Sequence, residues 1–168
     1  MKDLKSLNLE QLTEELLSIG EKKFRAKQVY SWIHEKLVDS FDEMTNLSKD
    51  LREKLKENYT LNSLEAVAVQ TSKIDGTQKY LFRLQDGHVV ESVLMRYHHG
   101  NSVCISTQVG CRMGCKFCAS TLDGLERNLL PSEMLDEIYS IQRDIGERVS
   151  NIVLMGSGEP LDNYDNGM

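Results

Sequence analysis

Two short apolar segments with a helix pattern between them restrict the fold of this chain more than any other part of the sequence. Residues 102–106 and 151–155 have the length and composition of strands. Between them, Pro131 and Ser132 predict a helix start, with Ser132 as the N-cap. The apolar residues that follow at helical spacing are Met134, Leu135, Ile138, Ile141 and Ile145. Strand, helix and strand in this order predict a parallel βα unit, and hence an α/β fold.

A loop follows each predicted strand at its carboxyl end. The cysteine loop, residues 110–118, has the spacing C-x3-C-x2-C with an aromatic residue before the last cysteine. Its cysteines are Cys111, Cys115 and Cys118. The glycine loop, residues 156–160, reads Gly-Ser-Gly-Glu-Pro. Because the carboxyl ends of parallel strands lie at one edge, where ligands bind, the two loops are predicted to converge there.

Three thiolates on one short loop can hold a 4Fe–4S cluster by three of its irons, which leaves the fourth iron open to a small molecule. A structural zinc ion normally takes four ligands from two well-separated pairs. The only other cysteine is Cys104, and no histidine follows Cys118. The spacing therefore favours a cluster, with zinc and inert thiols as the alternatives.

The glycine loop can accommodate a ligand close to its backbone, because Gly156 and Gly158 have no side chains to obstruct it. Glu159 can offer a carboxylate to an ammonium group at the same place. The alternative is a tight turn with a surface glutamate. By spacing alone, Cys104 is a small buried residue of a strand and Glu91 an outward-facing polar one.

The composition is that of a soluble globular protein, with 40% apolar and 27% charged residues. No stretch is long enough to span a bilayer and there is no apolar leader, so we expect a cytoplasmic protein without a membrane partner. The net charge of −6 argues against nucleic-acid binding by bulk electrostatics. A local basic cluster is either a phosphate contact or a solvated helix face. It consists of Lys22, Lys23, Arg25 and Lys27.

The first sixty residues are predicted to form a small helical module. Asn8 is the predicted N-cap of the first helix and Gly20 its stop, and a second helix begins at about Phe24. Ser40 and Ser48 are candidate caps of two further short helices. The residues predicted to be buried, around Trp32, are Leu9, Leu12, Leu16, Leu17, Phe24, Val29, Ile33, Leu37, Leu51 and Leu55.

Beyond this module the pattern changes to strands. Asp75-Gly76 and Asp86-Gly87 are turn dipeptides that separate short β-rich segments. Tyr80, Phe82 and Leu84 alternate with the polar residues Lys79 and Arg83, which predicts a half-buried strand. Residues 88–97 are predicted to form another strand. Residues 98–101 are predicted to be the turn that connects it to the strand at 102–106.

Several motifs occur along the chain in an order found in one family. They are Phe24 to Trp32, Met44 to Ser48, Cys104 to Cys111, the cysteine loop and the glycine loop. Together they resemble the N-terminal half of the RlmN/Cfr family, bacterial radical S-adenosylmethionine (SAM) enzymes that methylate adenine in RNA. One departure is Ser157, which stands where relatives commonly have methionine.

The resemblance implies an α/β chain with a small all-α N-terminal module and a partial radical SAM (β/α) barrel, truncated after its first βα units. It divides the chain into a helical, RNA-binding-like accessory module at 1–60, a β-strand extension at 61–100 and an incomplete barrel start at 101–168. In the family a cysteine near the C-terminus carries the methyl group, and no cysteine follows Cys118. We therefore expect the 168-residue chain alone to be inactive.

The resemblance also assigns residues to two cofactors, a 4Fe–4S cluster and SAM. The implied cluster ligands are Cys111, Cys115 and Cys118. The residues implied at SAM are Phe117, Gly156, Gly158 and Glu159. Glu91 corresponds to the proton acceptor of the reaction, and Cys104 to the cysteine that resolves a covalent enzyme–RNA intermediate.

In the family, one SAM methylates the C-terminal cysteine and a second SAM is cleaved at the cluster. The radical so formed takes a hydrogen atom from the methyl group, and the carbon radical adds to the adenine ring. The implied substrates are 23S ribosomal RNA and transfer RNA, methylated at adenine C2, which must leave its stack to be reached. The implied electron donor is flavodoxin or ferredoxin, and a monomer is expected.

Three alternatives remain at this point. Methylation at adenine C8, which confers antibiotic resistance, is the nearest. A non-catalytic RNA-binding module with a zinc site belongs to a different functional class. A radical SAM enzyme that modifies a peptide or a small metabolite is the third, and the helical module argues against it.

Overall fold

The computed structural model describes residues 1–167 and consists of two compact units. The first unit is Met1–Ser63, and the second begins at Leu64. Residue 168, the end of the predicted barrel segment, lies outside the described residues. Within residues 1–167, every helix is too short or too polar to cross a membrane.

The first unit is mainly helical. Its elements are β1 (Lys2–Asp3), α1 (Leu9–Ser18), α2 (Lys23–His34), α3 (Lys49–Asn58) and β2 (Tyr59–Thr60), with short 3₁₀ helices at Leu4–Ser6 and Phe41–Glu43. Strands β1 and β2 pair in parallel and bring the two ends of the unit together. The first unit is thus mainly helical with one short pair of strands, and the accessory module at 1–60 stays a prediction.

The predicted helix caps of the first unit are confirmed. Asn8 Oδ1 accepts a hydrogen bond from Gln11 N at 2.9 Å, and Gln11 Oε1 accepts one from Asn8 N at 3.0 Å, which makes a capping box. Ser48 Oγ caps α3 through Leu51 N, and Ser40 caps the 3₁₀ helix at Phe41–Glu43. These side chains satisfy backbone N–H groups that a helix start leaves without a partner.

Several predicted core residues of this unit are buried, but four are not, and one of these is the half-buried Leu9. Leu17 and Phe24 are each 51% exposed, and Trp32 is only half-buried at the edge of the core. Leu17 is turned about 100° around α1 from Leu16, so it leaves the buried stripe. The Phe24 ring lies 4.9 Å from the Arg25 guanidinium carbon, a cation–π contact that suits an exposed ring.

The second unit is built on a five-stranded sheet with the order β3-β4-β5-β6-β9. These strands are β3 (Glu65–Thr71), β4 (Gln78–Arg83), β5 (Val89–Tyr97), β6 (Gly100–Cys104) and β9 (Val149–Val153). A two-stranded ribbon is formed by β7 (Gln108–Gly110) and β8 (Leu125–Asn128). The helices are α4 (Pro131–Ile145) and α5 (Tyr164–Gly167), with 3₁₀ helices at Ala119–Thr121 and Pro160–Asn163.

The predicted parallel βα unit is confirmed. Strand β6 pairs in parallel with β9, and α4 connects them, while the other neighbours in the sheet are antiparallel. The predicted turns at Asp75-Gly76 and Asp86-Gly87 are present as well. The turn predicted at 98–101 is shorter, because β6 already begins at Gly100.

Helix α4 begins earlier than predicted. Pro131 occupies its first position, where a missing N–H costs nothing, and Ser132 lies buried inside the first turn. The cap comes from Glu133, whose Oε2 accepts a hydrogen bond from Leu130 N at 2.8 Å. The prediction of Ser132 as the N-cap is therefore wrong.

The buried face of α4 differs from the prediction in one respect. Its apolar part packs on the sheet in a core with residues such as Phe82, Leu94 and Val103. The buried apolar residues of the helix are Met134, Ile138 and Ile141, and Leu135 and Ile145 are half-buried. Three acidic side chains of the helix are buried too, namely Glu133, Asp136 and Glu137.

Candidate SAM and cluster site

The cysteine loop and the glycine loop meet at the carboxyl edge of β6 and β9. Gly156 N donates a hydrogen bond to Ile105 O at 2.9 Å, and Thr107 N donates one to Ser157 O at 2.8 Å. Ser106 Oγ accepts a further hydrogen bond from Ser157 N at 3.0 Å. The glycine loop is thus fixed to the segment that leads from β6 into the cysteine loop, and the predicted convergence of the two loops is confirmed.

Both glycines of the glycine loop are required by close packing. A Cβ at residue 156 would lie 2.7 Å from Ile105 O and Ser106 Oγ. A Cβ at residue 158 would lie 2.6 Å from Gln108 Cβ, and Gly158 has a φ of +101°, which side chains rarely allow. The sequence interpretation considered only the approach of a ligand, and the structure adds this packing requirement.

Glu159 lies at the start of the 3₁₀ helix Pro160–Asn163. Its Oε1 accepts a hydrogen bond from Leu161 N at 3.0 Å, and its own N–H donates to Gln108 Oε1 at 2.9 Å. The side chain therefore acts as a helix cap in the structure. Its predicted contact with an ammonium group stays a prediction.

All the cysteines are free thiols, in different surroundings. Cys111 is buried beside the ribbon, with its N–H donating to Gly124 O at 2.9 Å, while Cys115 is exposed and Cys118 half-buried. Thr121 Oγ1 fixes the loop backbone by donating to Cys118 O at 2.9 Å. Phe117 is 95% exposed.

The cysteine loop fits a 4Fe–4S cluster in its donor chemistry. It supplies three free thiols within one short loop, and Gly114, with a φ of +71° and nothing within 4 Å of an added Cβ, allows the chain to reverse in open space. Within residues 1–167, however, no three cysteine, histidine or acidic side chains lie close enough together to hold a metal. Binding of a cluster through all three cysteines would require their sulfurs to come closer together.

Glu91 and Cys104 lie on one face of the sheet. Cys104 pairs with Val93 of β5 and with Val153 of β9, and Glu91 is two residues before Val93. Because side chains alternate along a strand, both project from the face opposite the one that Ser92 turns towards α4. The two predicted catalytic residues are thus brought to the same side of the sheet.

The two side chains differ in exposure and charge. Glu91 is exposed, and its Oε1 lies 3.2 Å from Lys79 Nζ. Cys104 is half-buried, and burial is the main cause that raises the pKa of its thiol. A nearby charge on Glu137 would raise that pKa further. As a nucleophile, Cys104 would therefore need a proton acceptor close by.

Sequence reasoning missed Glu137, a carboxyl group buried between α4 and the sheet. Its Oε2 accepts hydrogen bonds from Ser92 Oγ and, at 3.0 Å, from Ser106 N, whereas Oε1 is buried without a hydrogen-bond partner among the described residues. Burial raises the pKa of Glu137 to about 8. Its place in the apolar stripe, one turn before Ile141, was a signal for this burial.

Gln108 was also missed as a structural residue, although it belongs to a motif that carries the resemblance. It is fully buried at the start of β7, between the two loops. Its side chain contacts Glu159 N, Asn128 and Asp162. Asp162 in turn pairs with Arg112 of the cysteine loop, and this contact is the main cause that lowers the pKa of Asp162.

The basic cluster of the first unit borders an open cavity of about 510 Å³ beside α1. Lys23 and Lys27 line it, but so do Glu10 and Glu14. Since the two acidic side chains offset the two lysines, the cavity by itself is not a strong phosphate site. Both interpretations of the basic cluster therefore stay open.

Comparison with known proteins gives consistent matches. Residues 2–61 match the family described as the ribosomal RNA large subunit methyltransferase N-terminal domain. A relative in Lachnospira eligens, named "Probable dual-specificity RNA methyltransferase RlmN", is 69% identical over 166 residues, which are 99% of this chain and 47% of the relative. A relative of the same name in Staphylococcus carnosus is 57% identical over 97% of this chain and 45% of its own length.

A solved structure is similar over the same extent. It is a radical SAM methyltransferase from Sphaerobacter thermophilus, with 40% sequence identity and a TM-score of 0.90. The match covers 99% of this chain and 50% of that protein. The chain thus spans about half the length of the relatives that it matches.

Proposed function

Since the chain belongs to the RlmN family, we propose that it contributes the cluster and SAM site of a radical SAM methyltransferase. The proposed reaction is methylation of adenine C2 in 23S ribosomal RNA and in transfer RNA. The observation that carries the proposal is the hydrogen-bonded junction of the cysteine loop and the glycine loop at one sheet edge. Ligands of parallel α/β structures bind at this edge.

The proposed cofactor residues lie on these two loops. Cys111, Cys115 and Cys118 would hold a 4Fe–4S cluster, which when bound supplies one electron to the SAM sulfonium. The backbone of the glycine loop would receive the amino-acid end of SAM, and Glu159 would face its ammonium group. Phe117, which is exposed, would flank the cofactor.

The proposed catalytic residues are Glu91 and Cys104. Glu91 would accept the proton that leaves the adenine ring, and its exposed carboxylate and the neighbouring ammonium of Lys79 suit a group that works as an ion. The Cys104 thiolate would then break the covalent bond between enzyme and RNA. Because burial raises the pKa of Cys104, transfer of its proton must accompany that attack.

The finer fold and the remaining partners belong to the same proposal. Strand β6, helix α4 and strand β9 would be the opening βα unit of a (β/α) barrel, and the helical module would share the contact with RNA. Flavodoxin or ferredoxin would supply the electrons. The protein would act as a monomer in the reducing cytoplasm. No cysteine follows Cys118, so the methyl-carrying thiol would lie outside these 168 residues, and we expect them alone not to methylate RNA.

Anaerobic reconstitution with iron and sulfide tests the proposal. The wild-type chain and Cys104→Ala should acquire a brown 4Fe–4S chromophore, whereas Cys115→Ala should not. Cys104→Ala is the matched control, since it removes a thiol from the strand next to the loop. A colourless protein that takes up zinc instead, with the same cysteine dependence, would support the RNA-binding module and overturn the radical mechanism.

A further inference from the structure

We propose that Gln108 is a positioning residue that holds the glycine loop in the orientation needed to receive SAM, and that it links this loop to the cysteine loop. The inference rests on the proposed function and assigns a role to a residue that is not among the proposed ligands of the cluster or of SAM. It is carried by the hydrogen bonds, the burial and the packing of this one side chain.

The Gln108 amide group makes three hydrogen bonds to residues around the site. Its Oε1 accepts the Glu159 N–H at 2.9 Å, and its Nε2 donates to Asp162 Oδ2 at 2.9 Å and to Asn128 Oδ1 at 2.8 Å. The side chain is fully buried, so water cannot replace these partners. A primary amide is the group that can accept from one partner and donate to two others at once.

The packing around Gln108 fixes its backbone as well as its side chain. The N–H groups of Thr107 and Gln108 both donate to Ser157 O, at 2.8 and 3.2 Å. Gly158 lies against Gln108 so closely that an added Cβ would be 2.8 Å from the Gln108 nitrogen. The glycine loop is therefore held against residue 108 on two sides, by a doubly accepting carbonyl and by van der Waals contact.

The same side chain connects the two loops through Asp162. One carboxylate oxygen of Asp162 accepts from Gln108, and the other accepts from Arg112, which directly follows Cys111. The chain of contacts runs from Arg112 through Asp162 and Gln108 to Glu159. A change at Gln108 would thus alter the placement of the glycine loop relative to the cysteine loop, while every proposed cluster ligand remains present.

The decisive variant is Gln108→Met, which keeps the length of the side chain and removes its hydrogen bonds. Gln142→Met is the matched control, because Gln142 Oε1 accepts a backbone N–H from Val149 at 3.0 Å, at the opposite end of β9. Two readouts are compared in the 168-residue chain. One is hydrogen exchange of residues 154–163 without cofactors, and the other is SAM binding after anaerobic cluster reconstitution.

Gln108→Met should accelerate exchange of residues 154–163 and leave that of residues 131–145 unchanged. It should weaken SAM binding by about tenfold or more, because the loss of the hydrogen bond to Glu159 N and of the two to Asp162 and Asn128 releases the glycine loop, with the iron content unchanged. The change in the electron paramagnetic resonance spectrum that SAM causes in the reduced cluster should be lost at the SAM concentration that saturates the wild type. Gln142→Met should behave like the wild type in hydrogen exchange of residues 154–163, in iron content, in SAM affinity and in the spectrum of the reduced cluster.

A charge-compensated pair keeps the inference testable if Gln108→Met fails to fold. Gln108→Glu places a carboxylate against Asp162 and should weaken SAM binding, and the added change Asp162→Asn restores a donor and should recover it. Equal SAM affinity and equal exchange in Gln108→Met and the wild type would overturn the role of Gln108. If the wild type binds no cluster or SAM, the proposed function fails, and the exchange measurement alone then decides whether Gln108 holds the loop.

Discussion

Replacing Glu137 by glutamine should remove most of the change in the free energy of unfolding of the second unit between pH 5.5 and 7.5. Burial raises the pKa of Glu137 to about 8, from an ordinary value of 4.5. Between pH 4.5 and about 8, the folded state therefore keeps this carboxyl group largely protonated, whereas in the unfolded state it has largely lost its proton. Stability must fall as the pH rises between these two values, since the folded state binds more protons.

The surroundings of Glu137 support this direction. Its donors are Ser92 Oγ on β5 and Ser106 N, two residues after the end of β6, and both favour the charged form but do not outweigh desolvation. A further acidic group, Glu133 on the same helix, also raises the pKa of Glu137. Its negative charge opposes a second one nearby, so the Glu137 carboxyl group stays protonated near neutral pH.

The expected magnitude follows from the width of this interval. One retained proton changes the free energy of unfolding by about 1.4 kcal/mol per pH unit. From pH 5.5 to 7.5, the wild type should therefore lose about 2 to 3 kcal/mol relative to Glu137→Gln, which has no proton to release. Glu126→Gln, the loss of an exposed carboxylate on β8, is the matched control and should retain the wild-type slope.

The assay must report on the second unit. Trp32, the only tryptophan, lies in the first unit, so its fluorescence in urea serves as an internal control that should not respond to the substitution. Hydrogen exchange of residues 131–145, corrected for the intrinsic effect of pH, measures the opening of α4. Parallel pH slopes for the wild type and Glu137→Gln would show that Glu137 is ionised in the folded state and would refute the reasoning.

Five further substitutions test individual hydrogen bonds and burial by urea unfolding. Asn8→Ala removes the capping box of α1 and should cost about 1 kcal/mol, read from Trp32 fluorescence, which reports on the first unit; no loss would contradict the cap. Arg127→Ala leaves the carboxylate of Glu133 buried without its two hydrogen bonds of 2.8 Å and should cost about 2 to 3 kcal/mol, with Arg127→Lys recovering only part. Phe24→Ala should change stability by less than about 0.5 kcal/mol because the ring is exposed, whereas Ile33→Ala should cost about 2 to 5 kcal/mol, and similar losses for the two would refute the burial assignment.

Local signals in the sequence predicted much of the secondary structure. Asn8, Ser40 and Ser48 cap helices because their short polar side chains reach the backbone within three residues. The parallel pairing of β6 and β9 follows from a strand, a helix and a strand in succession. In each case the physical cause lies within a short stretch of chain, so the sequence displays it directly.

The errors have two causes, competition between neighbouring residues for one helix position and the choice of which helix face is buried. Ser132 is a good N-cap by type, but Pro131 takes the first helical position and Glu133 supplies the cap. Leu17 belongs to the apolar set of α1, but the helix buries one stripe only, and which stripe depends on the elements that pack against it.

In the candidate site, too, the local patterns were predicted and the long-range contacts were not. The cysteine spacing and the two glycines were visible as patterns, and the meeting of their loops followed from parallel strands. Gln108 and Glu137 were not identified, since their hydrogen-bond partners lie far away in sequence, such as Glu159 for the first and Ser92 for the second. A buried polar side chain is recognisable only when its partners are known.

The position of β9 has a consequence for how such a site can grow. It is an outer strand of the sheet formed by the described residues, and β6 is its neighbour on one side. Backbone groups along the other margin are oriented to extend the ladder. A further strand that paired there in parallel would place the residues after its carboxyl end beside the cysteine loop and the glycine loop. Additional strands could therefore contribute side chains to this edge without disturbing the hydrogen bonds that join the two loops.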